Sequence, residues 1–149
     1  MIEFLRKLFV YDKWAIDRSL ATLDNPANKR AQTMLSHILL AEKIWLTRLR
    51  GEDSSSISVL TKLSPAECSR LSDELHRSYL EYLESLDETG LDLIITYKNT
   101  AGARFQTSIK DILIHVGLHA VYHRGQVAML VRDGGGEPVG TDYILFTRI

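Results

Sequence analysis

The feature that most constrains this chain is a heptad recurrence at its start: Ile2, Phe9, Ile16 and Leu23 fall seven residues apart, with Leu5 and Leu20 beside them. Apolar residues at that spacing line one stripe of an α-helix, and such a stripe must be buried against other elements. The run Asp24-Asn25-Pro26 stops the pattern, because proline lacks an N–H and disfavours helical geometry in the residue before it. A first helix is therefore expected over residues 2–24. A second is expected from about residue 29 to 50, with Met34, Ile38, Ala41 and Trp45 on one face and Gly51 where a C-terminal glycine commonly ends a helix. His37 lies inside that apolar stripe. The third start is the best marked, since Ser64-Pro65-Ala66-Glu67 combines an N-cap serine, proline at the first helical position and a capping-box glutamate. Its apolar positions are Cys68, Leu71, Leu75, Tyr79, Tyr82 and Leu86.

Residues 91–97 and 103–107 are β-prone runs on either side of Asn99-Thr100-Ala101-Gly102, which predicts a small hairpin. Ser108, with Asp111 three residues on, then opens a fourth helix. Its apolar positions Ile112, Val116, Ala120, Val127 and Leu130 lie on the side of its histidines, and Gly134-Gly135-Gly136 ends it near Asp133. Tyr143, Ile144, Leu145 and Phe146 are too apolar to remain in solvent and are expected to pack back along the helices. The reading is all-α: an up-down four-helix bundle with a small β-hairpin before the last helix, as one domain over residues 1–149. That length buries a continuous core without disulfides.

With 18 basic and 19 acidic residues and no dense block of either sign, the chain lacks the basic stripe of a nucleic-acid binder or an anionic-membrane binder. Charges every few positions in the first twenty residues exclude a signal peptide's apolar region, and no other segment reads as a membrane span. A cytoplasmic protein is expected. The single cysteine, Cys68, sits at an apolar helical position and reads as a small core filler.

The chemistry-bearing pattern is in the fourth helix, where His115, His119 and His123 recur every four residues. Residues at that spacing share a helix face with Cβ atoms about 5–6 Å apart, close enough for two imidazoles to converge on one cation. His115 with His119 and His119 with His123 are equivalent on spacing. His37 would face either pair if the second and fourth helices are neighbours, and the interior of a bundle is a usual place for such sites. Three nitrogens leave positions open, as in catalytic zinc sites, whereas a closed structural site would want a fourth protein ligand. The alternative is ordinary: one histidine on an apolar face is most often a core residue satisfied by one hydrogen bond. Several buried together without a shared partner leave donors and acceptors unpaired, at about 1–3 kcal/mol each, so the cluster requires a cause. His76, among Glu74, Arg77 and Ser78, reads as solvated surface.

The stretch His119-Ala120-Val121-Tyr122-His123-Arg124-Gly125-Gln126 resembles the HxxxHRGQ signature of the DinB family of metal-binding four-helix proteins. Residues 37–51 are similar to that family's second helix, and Pro138 with residues 141–146 to its tail, so the resemblance spans nearly the whole chain in order. It implies a divalent metal held by His37, His119 and His123, with water or a substrate thiol in the remaining positions, in a bundle that commonly forms homodimers. The same resemblance implies that His115 supports the site or handles a proton, that Arg124 anchors the chain through a carboxylate or carbonyl, and that Gly125 permits close helix approach. Trp45 and Tyr122 are expected as pocket walls. Three imidazoles accept zinc, nickel, iron, manganese or copper, with zinc and nickel foremost.

The characterised relatives that such a protein resembles include S-transferases using low-molecular-weight thiols of the bacillithiol or mycothiol type, and a thiol-dependent isomerase. The functional expectation is therefore a metal-dependent thiol S-transferase acting on a small electrophilic molecule. Two alternatives stand beside it. One is a metal-dependent hydrolase, against which no HExxH-type glutamate lies beside the histidines. The other is a non-catalytic metal-binding, stress-associated protein whose site steadies the bundle.

Overall fold

A computed structural model describes residues 1–23 and 28–148. Its elements are α1 (Ile2–Leu20), α2 (Lys29–Leu49), α3 (Pro65–Glu84), a 3-10 turn at Gly90–Asp92, β1 (Ile94–Lys98), β2 (Arg104–Ser108), α4 (Ile109–Asp133) and α5 (Tyr143–Phe146). The all-α bundle with a hairpin before its last long helix is as the sequence predicts. Local bonding explains the start of α3 and the end of α2. The Ser64 side chain accepts from the Glu67 N–H while the Glu67 carboxylate accepts from the Ser64 N–H, closing the expected capping box. At the end of α2, Gly51 takes φ +73°, its N–H bonding to the Arg48 carbonyl and that of Glu52 to the Thr47 carbonyl. This Schellman turn is closed by the left-handed residue that glycine accepts most readily.

Two boundaries differ from expectation. Helix α1 ends at Leu20, and turn bonds from Thr22 to Ser19 and from Leu23 to Leu20 carry the chain on, so Leu23 is buried by a turn and not by the helix. The stop assigned to Asp24-Asn25-Pro26 lies outside the described residues. Leu91 belongs to the 3-10 turn and fills the core, because the carbonyls of Thr89 and Gly90 take local bonds before the ladder begins. The hairpin itself pairs Ile94 with Ser108 and Tyr97 with Phe105.

Side-chain contacts fix the helix directions. Lys13 bridges to Asp73 and Arg6 to Glu84, so α1 and α3 are antiparallel. Leu8 meets Gly117 and Asp12 meets Arg124, so α1 and α4 are parallel. His37 meets His119 and His123 while Trp45 meets His115, so α2 and α4 are antiparallel. Ser36 meets Cys68 and the Tyr82 hydroxyl donates to the Leu49 carbonyl, so α2 and α3 are parallel. The order is up, down, down, up: the four-helix bundle is as expected, but its up-down alternation is corrected, because α3 runs parallel to α2 after a long connection. Residues 50–64 must therefore return along a helix about 30 Å long, well within an extended reach of about 50 Å.

One core fills the bundle, from Leu5, Ile16, Leu35, Ile38, Leu83 and Val116 among others, and Cys68 is buried in it as expected. The tail packs back through Tyr143 and Phe146, whose rings lie 5.1 and 5.7 Å from Tyr11, while Tyr11 donates to the Thr141 carbonyl. Close approach of α1 and α4 depends on Gly117, where a Cβ would lie 2.6 Å from Leu8.

Three charged groups are buried with this core: Asp12, Glu42 and Arg124, at 6, 5 and 3% exposure. Arg124 Nη1 donates to Asp12 Oδ1, and its guanidinium lies over the Tyr11 ring, which is the carboxylate anchor expected of that residue. Burial opposes the Arg124 charge, and the Asp12 carboxylate and Tyr11 outweigh it, raising its pKa. Burial, with Asp12 alongside, pushes the Glu42 carboxyl well above the usual carboxylate range despite Arg124. Removing one partner of such a pair strands the other in the core. Asp12→Ala should therefore destabilise the protein by about 3–5 kcal/mol in urea denaturation; a loss below about 1 kcal/mol, the worth of a surface pair, would show that the pair does not hold the bundle.

Candidate metal centre

The site is built on the seam between α2 and α4. On α4 the four-residue spacing of His115, His119 and His123 drifts slowly around the helix, so only part of the row faces any one point on a neighbour. The antiparallel packing of α2 sets His37 against the later part. Its ring centroid lies 4.7 Å from His123 and 5.5 Å from His119, and those two are 4.3 Å apart. One nitrogen from each of the three rings falls within 4.8 Å of the others. The spacing left two possible pairs on α4, and the fold brings His119 and His123 to His37. His115 stands one turn away, exposed, 5.5 Å from His119, its ring edge-on to Trp45 at 5.1 Å.

The arrangement suits a cation in three respects. All three rings are half-buried, so they are partly desolvated but still reachable. His123 Nδ1 lies 2.7 Å from Gln126 Oε1; an amide oxygen can only accept, so Nδ1 carries the hydrogen and Nε2 keeps its lone pair. Two of the three rings, His37 and His119, also favour the neutral form that binds metals. Burial, then His123, His115 and His37, lower the His119 pKa to about 4. Burial and His123 lower that of His37, against the opposing Val59 carbonyl, and burial alone lowers that of His115. Among the described residues no carboxylate or thiol joins the three. The donor set is three imidazoles, and coordination beyond three falls to solvent or a small molecule.

Other expectations are corrected here. His76 is not free surface: it is half-buried, and its Nδ1 is sealed without a partner beside a void of about 10 Å³ shared with Asp12, Glu42 and Tyr79. Its position between Ser72 and Tyr79 on the buried side of α3 turns it toward α1 despite its charged sequence neighbours. Tyr122 is 68% exposed, touching only the edge of His123, so it forms no enclosing wall. Gly125 is exposed with open space where a Cβ would stand, and the close approach belongs to Gly117 instead. Trp45 is half-buried against Tyr97 and His115, as a wall should be. The orienting bond of Gln126 was missed, although its i, i+3 spacing from His123 signalled it.

Comparison with known proteins identifies the family. A family model described as "DinB family" matches residues 17–149. The chain is 24% identical over 165 aligned positions to "Protein DinB" of Bacillus subtilis (strain 168), covering 98% of this chain and 95% of that one. Among the described residues no helix is long and apolar enough to cross a membrane.

The depressed histidines give the metal-free protein a defined pH response. An unfolded chain takes up these protons near pH 6.5 and the folded chain holds them off, in the case of His119 until about pH 4. Between those values the unfolded state binds more protons, so stability falls as pH falls. Thermal melts of metal-free protein should drop steadily from pH 7 to pH 5, and the drop should be shallower in His119→Gln. An equal slope in the variant would contradict the assignment.

Proposed function

The chain belongs to the DinB family, and from that membership and the three-histidine cluster we propose that it is a metal-dependent thiol S-transferase, joining a low-molecular-weight thiol to a small electrophile. The observation that carries the reading is the meeting of His37, His119 and His123 within 4.8 Å with no fourth protein donor among the described residues. A closed structural site would supply that donor, and a site intended for an exogenous ligand leaves it out. Zinc or nickel is the proposed ion, since imidazole suits both. A cation bound there supplies Lewis acidity that favours an ionised thiol at neutral pH.

The chain's own residues do the rest. Gln126 fixes the His123 tautomer, and burial keeps His37 and His119 unprotonated. His115, outside the triad yet one turn away, is placed to accept the proton that the thiol releases and pass it to solvent. The half-buried rings leave an approach for a small molecule. A net charge of −1 favours that over a polymeric or anionic-membrane partner. Among the described residues no carboxylate joins the cluster, which weighs against hydrolysis, since that needs a base for water. A homodimer in the cytoplasm completes the proposal.

The test is elemental analysis of untagged protein purified without a metal column, followed by thiol-consumption assays with an aryl halide. Close to one divalent ion per chain is expected, with loss in His37→Ala and His123→Ala. Gln126→Ala should bind metal about 10–100-fold more weakly, because it removes only the orienting bond. No metal in the native chain after reconstitution with several divalent ions would overturn the reading, and stoichiometric metal without thiol transfer would leave a binding protein.

A further inference from the structure

Open hollows also lie away from the histidines. Two adjoining hollows of about 350 and 400 Å³ lie between the hairpin and the segment that follows α2, and both are lined by Arg48, Asp53, Ser54 and Lys98. Arg104 completes the first. Arg48, three residues after Trp45 on α2, rests on two aromatic rings, its guanidinium 4.7 Å from the Trp45 centroid and 5.0 Å from that of Tyr97. Its Nε is buried without a partner. Among the described residues none of Arg48, Lys98 and Arg104 forms an ion pair. Two acids share the hollow. Asp53 already accepts from the Ser55 N–H and hydroxyl at 3.0 and 2.6 Å, and Glu52 lines the first hollow together with the three cations.

A guanidinium held by two aromatic rings has its orientation fixed and its donors unspent, and this fork matches a carboxylate. The hollow is also connected to the histidines. His119, His115, Trp45 and Arg48 follow one another at 5.5, 5.1 and 4.7 Å. From the other side, Ile57 lines the second hollow and the Val59 carbonyl faces His37. Ile44, in the wall of that hollow, is two turns from His37, or about 10 Å along the helix. Arg48 itself is eleven residues from His37, about 16 Å along the helix, but its guanidinium rests back over Trp45, eight residues or about 12 Å from His37, a span an extended chain of about four residues covers.

We propose that the Arg48–Lys98–Arg104 hollow is a carboxylate subsite, which binds the anionic end of the small molecule whose sulfur lies at the histidines. The assignment rests on the thiol-transfer reading for the identity of the ligand, but not for the existence of the subsite. Arg48 makes the bidentate contact, Lys98 and Arg104 add charge from the hairpin, and Trp45 forms the shared wall between the two ends. The hairpin thereby selects an acidic cosubstrate, with no part in the bond-making step.

The experiment titrates metal-free protein with S-methylglutathione, a peptide bearing two carboxylates and no free thiol, and with its diethyl ester. The readouts are NMR shifts of the Trp45 indole and Arg48 Nε–H. Saturable binding of the diacid is expected, at least tenfold weaker for the ester and for Arg48→Met, with partial recovery in Arg48→Lys. Because Arg48→Met could disturb packing, the exposed double variant Lys98→Gln/Arg104→Gln is measured too and should bind severalfold more weakly with an unchanged melt. Equal affinity for diacid and ester, no effect of either variant, or no saturation by about 10 mM would overturn the subsite. The readout uses neither metal nor thiol, so failed transfer chemistry with intact binding sinks the transferase reading alone. Transfer that ignores the ester and the variants sinks the subsite alone.

Discussion

The buried pair of Asp12 and Arg124 is the constraint on which the rest depends, because it joins two parallel helices far apart in sequence at the level of the candidate site. Desolvating two ions costs several kcal/mol each, and the pair recovers that only when the geometry is right. A slide of α4 along α1 would leave a guanidinium unpaired in the core, so the contact specifies register in a way that apolar packing alone does not. Gly117 reinforces it: the Leu8 side chain occupies the space where a Cβ would project, and α4 can lie close only at that position. His123 adjoins Arg124 in sequence, so the register of α4 places the imidazole opposite His37.

The order of helix directions follows from the same packing. With α4 parallel to α1 and antiparallel to α2, the histidine rows face across an antiparallel seam, where a row every four residues meets one opposing side chain at a single level. The parallel run of α2 and α3 forces residues 50–64 back over the bundle. That return passes α2 on the side of His37, with Val59 against the ring and Ile57 in the adjoining hollow. The connection required by the topology thus forms one wall beside the site, and the hairpin before α4 forms the other.

Elements set by local chemistry were legible in the sequence. The capping box at Ser64, the glycine after α2 and the hairpin turn each depend on residues within a few positions, and all appear where expected. The histidines were legible as a row, but their membership was not, because His115 and His123 are equivalent on a helix until a neighbour chooses between them. His76 was misread for the same reason: charged neighbours in sequence say little about which flank of a helix a residue occupies. The aromatic support of Arg48 needed Tyr97, forty-nine residues away on the hairpin, and the pairing of Asp12 with Arg124 needed the bundle itself. In each case a contact between distant segments determined the chemistry of one residue.

The two polar clusters of the interior are kept apart by helical geometry, which matters for what the histidines can do. On α2, Glu42 follows His37 by five residues and so points about 140° away; on α4, Arg124 follows His123 by one and points about 100° away. The same two helices therefore present imidazoles to one side and buried charges to the other. If Asp12 or Glu42 faced the imidazoles, a carboxylate would raise the histidine pKa values and compete for the ion. Instead the rings lie beside one another, the Gln126 amide and the Val59 carbonyl, and partial burial with the neighbouring histidines lowers the His119 pKa to about 4. Among the described residues the three nitrogens have no carboxylate beside them, so a dication held there would keep its positive charge uncompensated by the protein. Such a centre would favour an anionic ligand, which is the physical basis on which the proposed thiol chemistry rests.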